Sequence, residues 1–383
     1  MINRVVLNET SYFGRGSRRK IVDEIKSRGY EKILVVSDIN LLEANVTAMV
    51  TDILTDAGIT FFEYLHVKSN PTIKNVQDGL SVAQMSNVDA IVAVGGGSVI
   101  DTAKAISIIM TNPEHSGVTS LAGAIETRKK GLPLIALPTT AGTAAEVTIN
   151  YVITDETNMK KMVCVDVHDI PVCAIIDPDL MEKMPQSLAA TTGMDALTHA
   201  MEGYITKAGW LIPDMFHINA MALIFKNLEN AANEKDEISI EKMAYAQYIA
   251  GMGFSNVGLG IVHSMAHSLG AFFDTPHGLA NAILLPHVLR FNGEECPDLF
   301  RNMGRAFGLD MENISDEEAV EKVANAVADL SKKVKIPQTL REIGIPEEMI
   351  PALANQAIDD PCTPGNPRDV TVDDLISIYK QAY

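Results

Sequence analysis

Between residues 30 and 180 short β-branched runs alternate with stretches of helical periodicity, and that alternation restricts the fold more than any other feature of the chain. Ile33–Ser37 (ILVVS) precedes a helical pattern from Leu41 to Gly58, and Thr60–Leu65 precedes one over Val76–Ser86. Ala90–Val94 (AIVAV) runs through GGGS into a helical pattern over Val99–Met110, and Leu134–Leu137 is a further strand. Strands that are short, apolar on both sides and spaced by helices belong to a parallel sheet covered on both faces. Ile149–Thr154 and Met162–Val165 read as a hairpin around DETNMK, and Ala174–Ile176 as the last strand, ending at Asp177-Pro178-Asp179. After Pro185 the strand signal fades. Apolar residues recur at helical spacing over Ser187–Thr206, Asp214–Ala231, Ser239–Phe254 and His277–Asn292. A capping box at Ser315-Asp-Glu-Glu opens a helix over Glu317–Lys333, and Asp373–Gln381 closes the chain as another. The expected fold is α/β plus all-α: a Rossmann-like parallel-sheet domain over 1–184, then an all-helical domain over 185–383.

Composition narrows the class. Of the 383 residues 47% are hydrophobic and 21% charged, enough apolar material to offset the ordering entropy, which excludes a mainly disordered chain. Lys and Arg number 31 against 49 Asp and Glu, a net charge of −18 that repels phosphate backbones and argues against a nucleic-acid partner. No apolar stretch approaches the roughly 18 residues of a membrane span. Asn3, Arg4 and Glu9 interrupt the N-terminus, which carries no apolar signal core. Cys164, Cys173, Cys296 and Cys362 form no CxxC pair, which suits buried or idle thiols in a reducing cytosol. A cytoplasmic location follows as an expectation.

Two loops of the first half carry a dinucleotide signature. Gly95–Ile106 (GGGSVIDTAKAI) follows a strand and opens a helix, where the N–H groups and positive dipole end can seat a pyrophosphate. Gly95 and Gly97 fit a GxGxxG pattern, but the third glycine position holds Ile100, and a tight connection alone would also explain the glycines. Asp38 ends the strand ILVVS, where a carboxylate can accept from ribose hydroxyls and repel a 2′-phosphate, favouring NAD over NADP. A helix cap is its ordinary alternative. Pro138–Thr148 follows the strand LIAL and places the hydroxyls of Thr139, Thr140 and Thr143 beside a flexible backbone, suited to cofactor contacts or to a simple turn.

The second half holds a histidine cluster. Asp195 and His199 stand at i, i+4 in GMDALTHAMEGY, and His263 and His267 share that spacing in GIVHSMAHSLG, so each pair projects from one helix face. His277 follows in TPHGLAN. One carboxylate and several imidazoles can surround a divalent ion such as Zn²⁺ or Fe²⁺, and a set without thiolates suits catalysis better than a structural role. Any one of these histidines alone would more ordinarily be a hydrogen-bonded core or surface residue, and His287, inside LLPHVLRFN, reads as structural.

GGGSVIDTAKAI, PTTAGTAAEVTINYVITD, GMDALTHAMEGY and GIVHSMAHSLGAFFDTPHGLANAILLPH, in this order, resemble the iron-containing (group III) alcohol dehydrogenases, and the likeness runs from Phe13–Gly16 to the last helix. The resemblance implies metal ligation by Asp195, His199, His263 and His277. It leaves His267 close by without ligating, as a polar or proton-transferring group. It implies a ribose contact at Asp38 and a pyrophosphate turn at Gly96, Gly97, Ser98 and Asp101. Further cofactor contacts fall at Asn70, Thr139, Thr140, Thr143, Asn150, Lys161 and Leu180. Phe254, Cys362 and Asn150 would line the substrate pocket. The resemblance also implies a homodimer paired through a strand around Arg4–Leu7.

The expected activity is metal-dependent, NAD(H)-linked interconversion of small aldehydes and primary alcohols or diols of two to four carbons. The metal is Fe²⁺, with Zn²⁺ as the alternative. A cleft between the domains would bring nicotinamide and metal to reacting distance. The rivals are a 1,3-propanediol- or glycerol-dehydrogenase-like polyol enzyme, a lyase of the dehydroquinate-synthase type, and a non-catalytic sensor of NAD and metal. The lyase needs a strongly basic pocket, whereas Met, Ala, Leu and Phe surround the metal motifs here.

Overall fold

The computed structural model describes residues 2–383 and divides the chain into two compact units. The first comprises Met1–Thr140 and Ala144–Met184; the second comprises Ala141–Thr143 and Pro185–Tyr383.

The strands of the first unit are β1 (Thr10–Phe13), β2 (Lys32–Val36), β3 (Thr60–Tyr64), β4 (Ala90–Gly95), β5 (Gly123–Ala124), β6 (Leu134–Pro138), β7 (Asn150–Asp155), β8 (Lys160–Val165) and β9 (Cys173–Ile176). Six of them form a wholly parallel sheet in the order β1-β9-β6-β4-β2-β3. Its helices are α1 (Ile21–Arg28), α2 (Ile39–Glu43), α3 (Ala48–Asp56), α4 (Ile73–Ser86) and α5 (Gly97–Thr111). Side chains alternate across a strand, so the apolar run ILVV feeds two cores. Leu34 and Val36 pack with Ile91, Val76 and Ile106, while Ile33 and Val35 pack with Val92, Ile21 and Leu54. Each fully buried side chain of this size contributes roughly 1.5–3 kcal/mol. The continuous hydrophobic runs seen in the sequence are thus the consequence of a sheet covered twice.

Two local expectations differ from the structure, and a third is extended by it. The single helix over Leu41–Gly58 is two helices, α2 and α3, because Asn45 turns into the left-handed region (φ 56°) and Val46 drops into the core. Asn, Val and Thr are weak helix formers, so packing decides there. Residues 2–8, including the strand expected around Arg4–Leu7, hold no regular element; the strand begins at Thr10 and pairs with β9 at the sheet edge. The β7–β8 hairpin joins the two-residue strand β5 in a second sheet, β5-β8-β7, that was too short to read from sequence.

The second unit is helical: α6 (Gln186–Ile205), α7 (Leu211–Asn233), α8 (Glu237–Val257), α9 (Ile261–Phe273), α10 (His277–Gly293), α11 (Pro297–Ala306), α12 (Asp316–Lys333), α13 (Ile350–Ala357) and α14 (Val372–Gln381). Ser315 and Glu318 form the reciprocal cap at the start of α12. Among the described residues no helix is long and apolar enough to cross a membrane.

Candidate functional site

In the second unit α6 carries Asp195 and His199 on one buried face, α9 carries His263 and His267, and α10 begins at His277. One donor atom from each of Asp195, His199, His263 and His277 lies within 4.8 Å of the others. Gly278 permits this approach: a Cβ there would stand 2.4 Å from the Thr191 carbonyl oxygen of α6 and 3.2 Å from Asp195 Cβ.

The protonation of this cluster follows from its surroundings. Burial holds His199 below its ordinary range and His263 well below it, so both imidazoles are neutral and keep a lone pair. His263 Nδ1 lies 2.6 Å from Glu202 Oε2; with the proton on Nδ1, Nε2 is the acceptor. Asn281 Nδ2 lies 2.7 Å from Asp195 Oδ1, 3.3 Å from His263 Nε2 and 3.2 Å from His277 Nε2. Three acceptors therefore converge on one small volume. His199 Nδ1 is buried without a hydrogen-bond partner, 3.9 Å from Asp195 Oδ2. An orphaned imidazole nitrogen beside converging acceptors, with one carboxylate, is the donor set a divalent cation satisfies. The residues fit a metal ion.

The flanking groups are as ordered. Glu202 also accepts the backbone N–H groups of Val262 (2.7 Å) and His263 (3.3 Å), and burial pushes its carboxyl up to about 8. His267 Nδ1 is 2.9 Å from Asp360 Oδ2. Burial alone would raise Asp360, but the adjacent His267 imidazole and its hydrogen bond outweigh burial and hold the carboxyl below its usual range. Phe254 stacks on His199 at 4.2 Å between centroids and 11° between planes, and Cys362 donates its N–H to Asp360 Oδ1 at 2.9 Å. Burial raises the Cys362 thiol well above its ordinary range. His287 is half-buried, and burial lowers it to about 4.

In the first unit Asp38, Gly96, Gly97, Ser98, Thr139 and Thr140 stand at the carboxyl ends of neighbouring strands β2, β4 and β6, the edge where ligands bind in sheets of this kind. Asp38 follows β2 and caps α2, accepting from Leu41 N at 3.0 Å. Gly96 caps α5, and Gly95 permits a tight strand-to-helix turn, because a Cβ there would stand 2.5 Å from Val99 Cβ. Gly97 opens α5, and the Ser98 hydroxyl donates to the Ser69 carbonyl. Asp101 Oδ2 accepts from Val152 N at 3.0 Å, and desolvation pushes its carboxyl up to about 7. Thr139 is buried after β6 with its N–H on Gly95 O at 3.1 Å, and Thr140 stands beside Gly96. Lys161 Nζ bonds Asn70 Oδ1 at 2.6 Å and Thr154 Oγ1 at 3.0 Å. Asn150 opens β7, with its carbonyl on the buried Lys104 Nζ at 2.9 Å. Leu180 lies within the apolar core under the sheet, 1% exposed. Thr143 belongs to the second unit, as do Phe254 and Cys362, whereas Asn150 belongs to the first.

Sequence reasoning assigned no role to Glu202, Asn281, Asp360 or Lys104. Glu202 and Asn281 sit one helical turn from ligand candidates, a usable signal; Asp360 is 93 residues from His267 and gave none.

A glycine-turn parallel sheet joined to a helical unit with an Asp/His cluster defines a class, the metal-dependent alcohol dehydrogenases. The chain belongs to the iron-containing alcohol dehydrogenase family: the model "Iron-containing alcohol dehydrogenase" matches residues 8–178 and "Fe-containing alcohol dehydrogenase family, C-terminal" matches residues 189–383. It is accordingly an oxidoreductase. Lactaldehyde reductase of Escherichia coli (strain K12) is 52% identical over 384 residues, covering 100% of both chains. NAD-dependent methanol dehydrogenase of Bacillus methanolicus is 38% identical over 377 residues, covering 97% of each. A crystal structure of 1,3-propanediol oxidoreductase superposes with a TM-score of 0.96 at 38% identity, covering 100% of both chains.

Proposed function

We propose that the protein is an NAD(H)-linked, Fe²⁺-dependent reductase of small aldehydes, working between lactaldehyde and 1,2-propanediol. The observation that carries this is the 52% identity to a lactaldehyde reductase along the full length of both chains. Asp195, His199, His263 and His277 would hold the ion, which when bound supplies Lewis acidity toward the substrate oxygen. NAD(H), which carries the hydride, would be held through Gly96, Gly97, Ser98 and the Asp38, Thr139 and Thr140 strand ends. Asn70, Asp101, Thr143, Asn150 and Lys161 would contribute further contacts, and Leu180 would support them from the core.

The chain's own residues then have definite tasks. Glu202 keeps His263 in the tautomer whose Nε2 is free to ligate. Phe254 fixes the ring of His199 and, with Cys362, supplies an apolar wall suited to a short carbon chain. Asp360 holds the Nδ1 proton of His267, leaving Nε2 to take or give a proton at the substrate end. Asp38 repels a 2′-phosphate and so favours NAD over NADP. We further propose a cytoplasmic homodimer associated through the segment around Arg4–Leu7, where Val5 and Leu7 are exposed. Four free cysteines suit a reducing compartment.

The test is kcat/KM for NADH oxidation across a panel of two- to four-carbon aldehydes on anaerobically prepared enzyme. The highest value is expected with lactaldehyde. A higher value with 3-hydroxypropionaldehyde would move the assignment to the 1,3-propanediol enzymes, to which this chain is also similar.

A further inference from the structure

Beside the Asp195–His199–His263–His277 set lies a second cluster of metal-binding side chains, to which the proposed reaction assigns no ion. One donor atom from each of His267, Asp360 and Cys362 lies within 4.8 Å of the others. The three come from two elements held in fixed relation. His267 projects from α9, one turn beyond His263, and Asp360 and Cys362 stand in the loop after α13. That loop is tied down: Thr363 Oγ1 bonds the Ser264 hydroxyl and the Ala357 carbonyl, each at 2.8 Å, and Thr363 N bonds Asp360 O at 3.0 Å. The side chains of His267 and Asp360 are 9% and 8% exposed.

We propose that His267, Asp360 and Cys362 form a second divalent-cation site, taking a borderline-soft ion such as Zn²⁺ or Cd²⁺ through a nitrogen, an oxygen and a thiolate sulfur. Three protein donors with one open position is a common arrangement for Zn²⁺, and the sulfur selects against Mg²⁺ and Ca²⁺. Ligand bonds of about 2.0–2.3 Å place tetrahedral donors about 3.4 Å apart. The 2.9 Å between His267 Nδ1 and Asp360 Oδ2 then opens by about half an ångström. Charge and protons balance. The count starts from the Asp360 carboxylate, an imidazole bearing one N–H and the Cys362 thiol. On binding, the Cys362 thiol releases one proton to solvent, and the His267 proton moves from Nδ1 to Nε2. A dication with one carboxylate, one thiolate and one neutral imidazole is neutral overall, which favours a largely buried site. Where His267 handles a proton in turnover, a consequence that rests on the proposed function, occupancy would withdraw it and slow the reaction.

The thiolate makes the site separable from the first. Among the candidate ligands of both clusters Cys362 is the one sulfur, and Cys164 and Cys173 are buried in the other unit. Metal-free full-length protein is titrated with Co²⁺, a coloured stand-in for Zn²⁺, following bound ion, ligand-field absorption and thiolate-to-cobalt charge transfer. Two ions per chain are expected, with the sulfur band growing with one of them and one proton released for that ion. Cys362→Ser should abolish the sulfur band and retain the other ion; Asp360→Asn should weaken the sulfur-bound ion at least tenfold. A wild-type protein that saturates at one Co²⁺ with no sulfur band overturns the proposal even where a variant fails to fold. So does a sulfur band that survives in Cys362→Ser. Failure of the first site would appear separately, as loss of the sulfur-free ligand-field signal.

Discussion

In the helical unit Asp195, His199, His263 and His277 converge on one another, whereas in the sheet unit Asp38, Ser98 and Lys161, expected to hold a dinucleotide, already have hydrogen-bond partners within the protein. His199 Nδ1 has no hydrogen-bond partner and three other acceptors surround one amide, so the cluster holds more acceptors than its own donors satisfy. By contrast Asp38 already caps a helix, Ser98 donates to Ser69, and Lys161 is bonded to Asn70. The first cluster is assembled by the burial of helices, and the second group by turns whose bonds a ligand would have to exchange or share. Removing a metal ligand leaves a hole in a rigid set. Removing one nucleotide contact costs only the difference between two hydrogen bonds, about 0.5–1.5 kcal/mol.

That contrast orders the expected effects. His263→Ala should lose nearly all bound metal together with on the order of 10³-fold in kcat/KM, about 4 kcal/mol of transition-state stabilisation. Elemental analysis beside steady-state kinetics checks it, and metal retained at full occupancy would break the comparison. Glu202→Gln keeps the shape but loses the carboxyl group that orients His263 and should weaken metal binding about 10- to 100-fold, read by chelator competition. Asp38→Gly should cut the preference for NADH over NADPH about tenfold in kcat/KM, or about 1.4 kcal/mol. An unchanged ratio would remove Asp38 from the ribose contact.

The last effect, on stability rather than activity, concerns pH. His217 is fully buried in α7, and a Cβ at Gly203 or Gly253 would stand 2.4 or 2.2 Å from its Nε2. Neither ring nitrogen has a hydrogen-bond partner, and burial lowers the imidazole from 6.5 to about 3. With the folded value below the unfolded one, the unfolded chain takes up the proton first as pH falls. The stability contributed is complete above pH 6.5 and drains away toward pH 3. His217→Leu should remove about 1.4 kcal/mol per pH unit from the slope below 6.5, seen as a Tm that changes less between pH 6 and about 4.5.

How much of this was legible depends on whether the physics is local. The doubly covered sheet showed itself in ILVVS and AIVAV because both faces of those strands are buried, and the helical half showed itself through periodicity. Asp195, His199, His263 and His267 were readable because i, i+4 spacing on a helix is local geometry. The break at Asn45 was not, since Val46 leaves the helix for a tertiary contact. The β5 strand has two residues, too few for any period. The Asp360 partnership of His267 joins segments with no sequence relation, and nothing in either flanking stretch announces it. Leu180, offered as a cofactor contact by family likeness alone, has its side chain packed in the core.

The central claim is that a metal held by Asp195, His199, His263 and His277 is required for hydride exchange between NADH and a small aldehyde. The most direct measurement is lactaldehyde-dependent NADH oxidation by anaerobically purified protein before chelation, after chelation, and after return of Fe²⁺ or Zn²⁺, with metal content determined at each stage. The account predicts that activity falls with metal content and returns with Fe²⁺. Undiminished turnover by protein shown to hold no metal would contradict it.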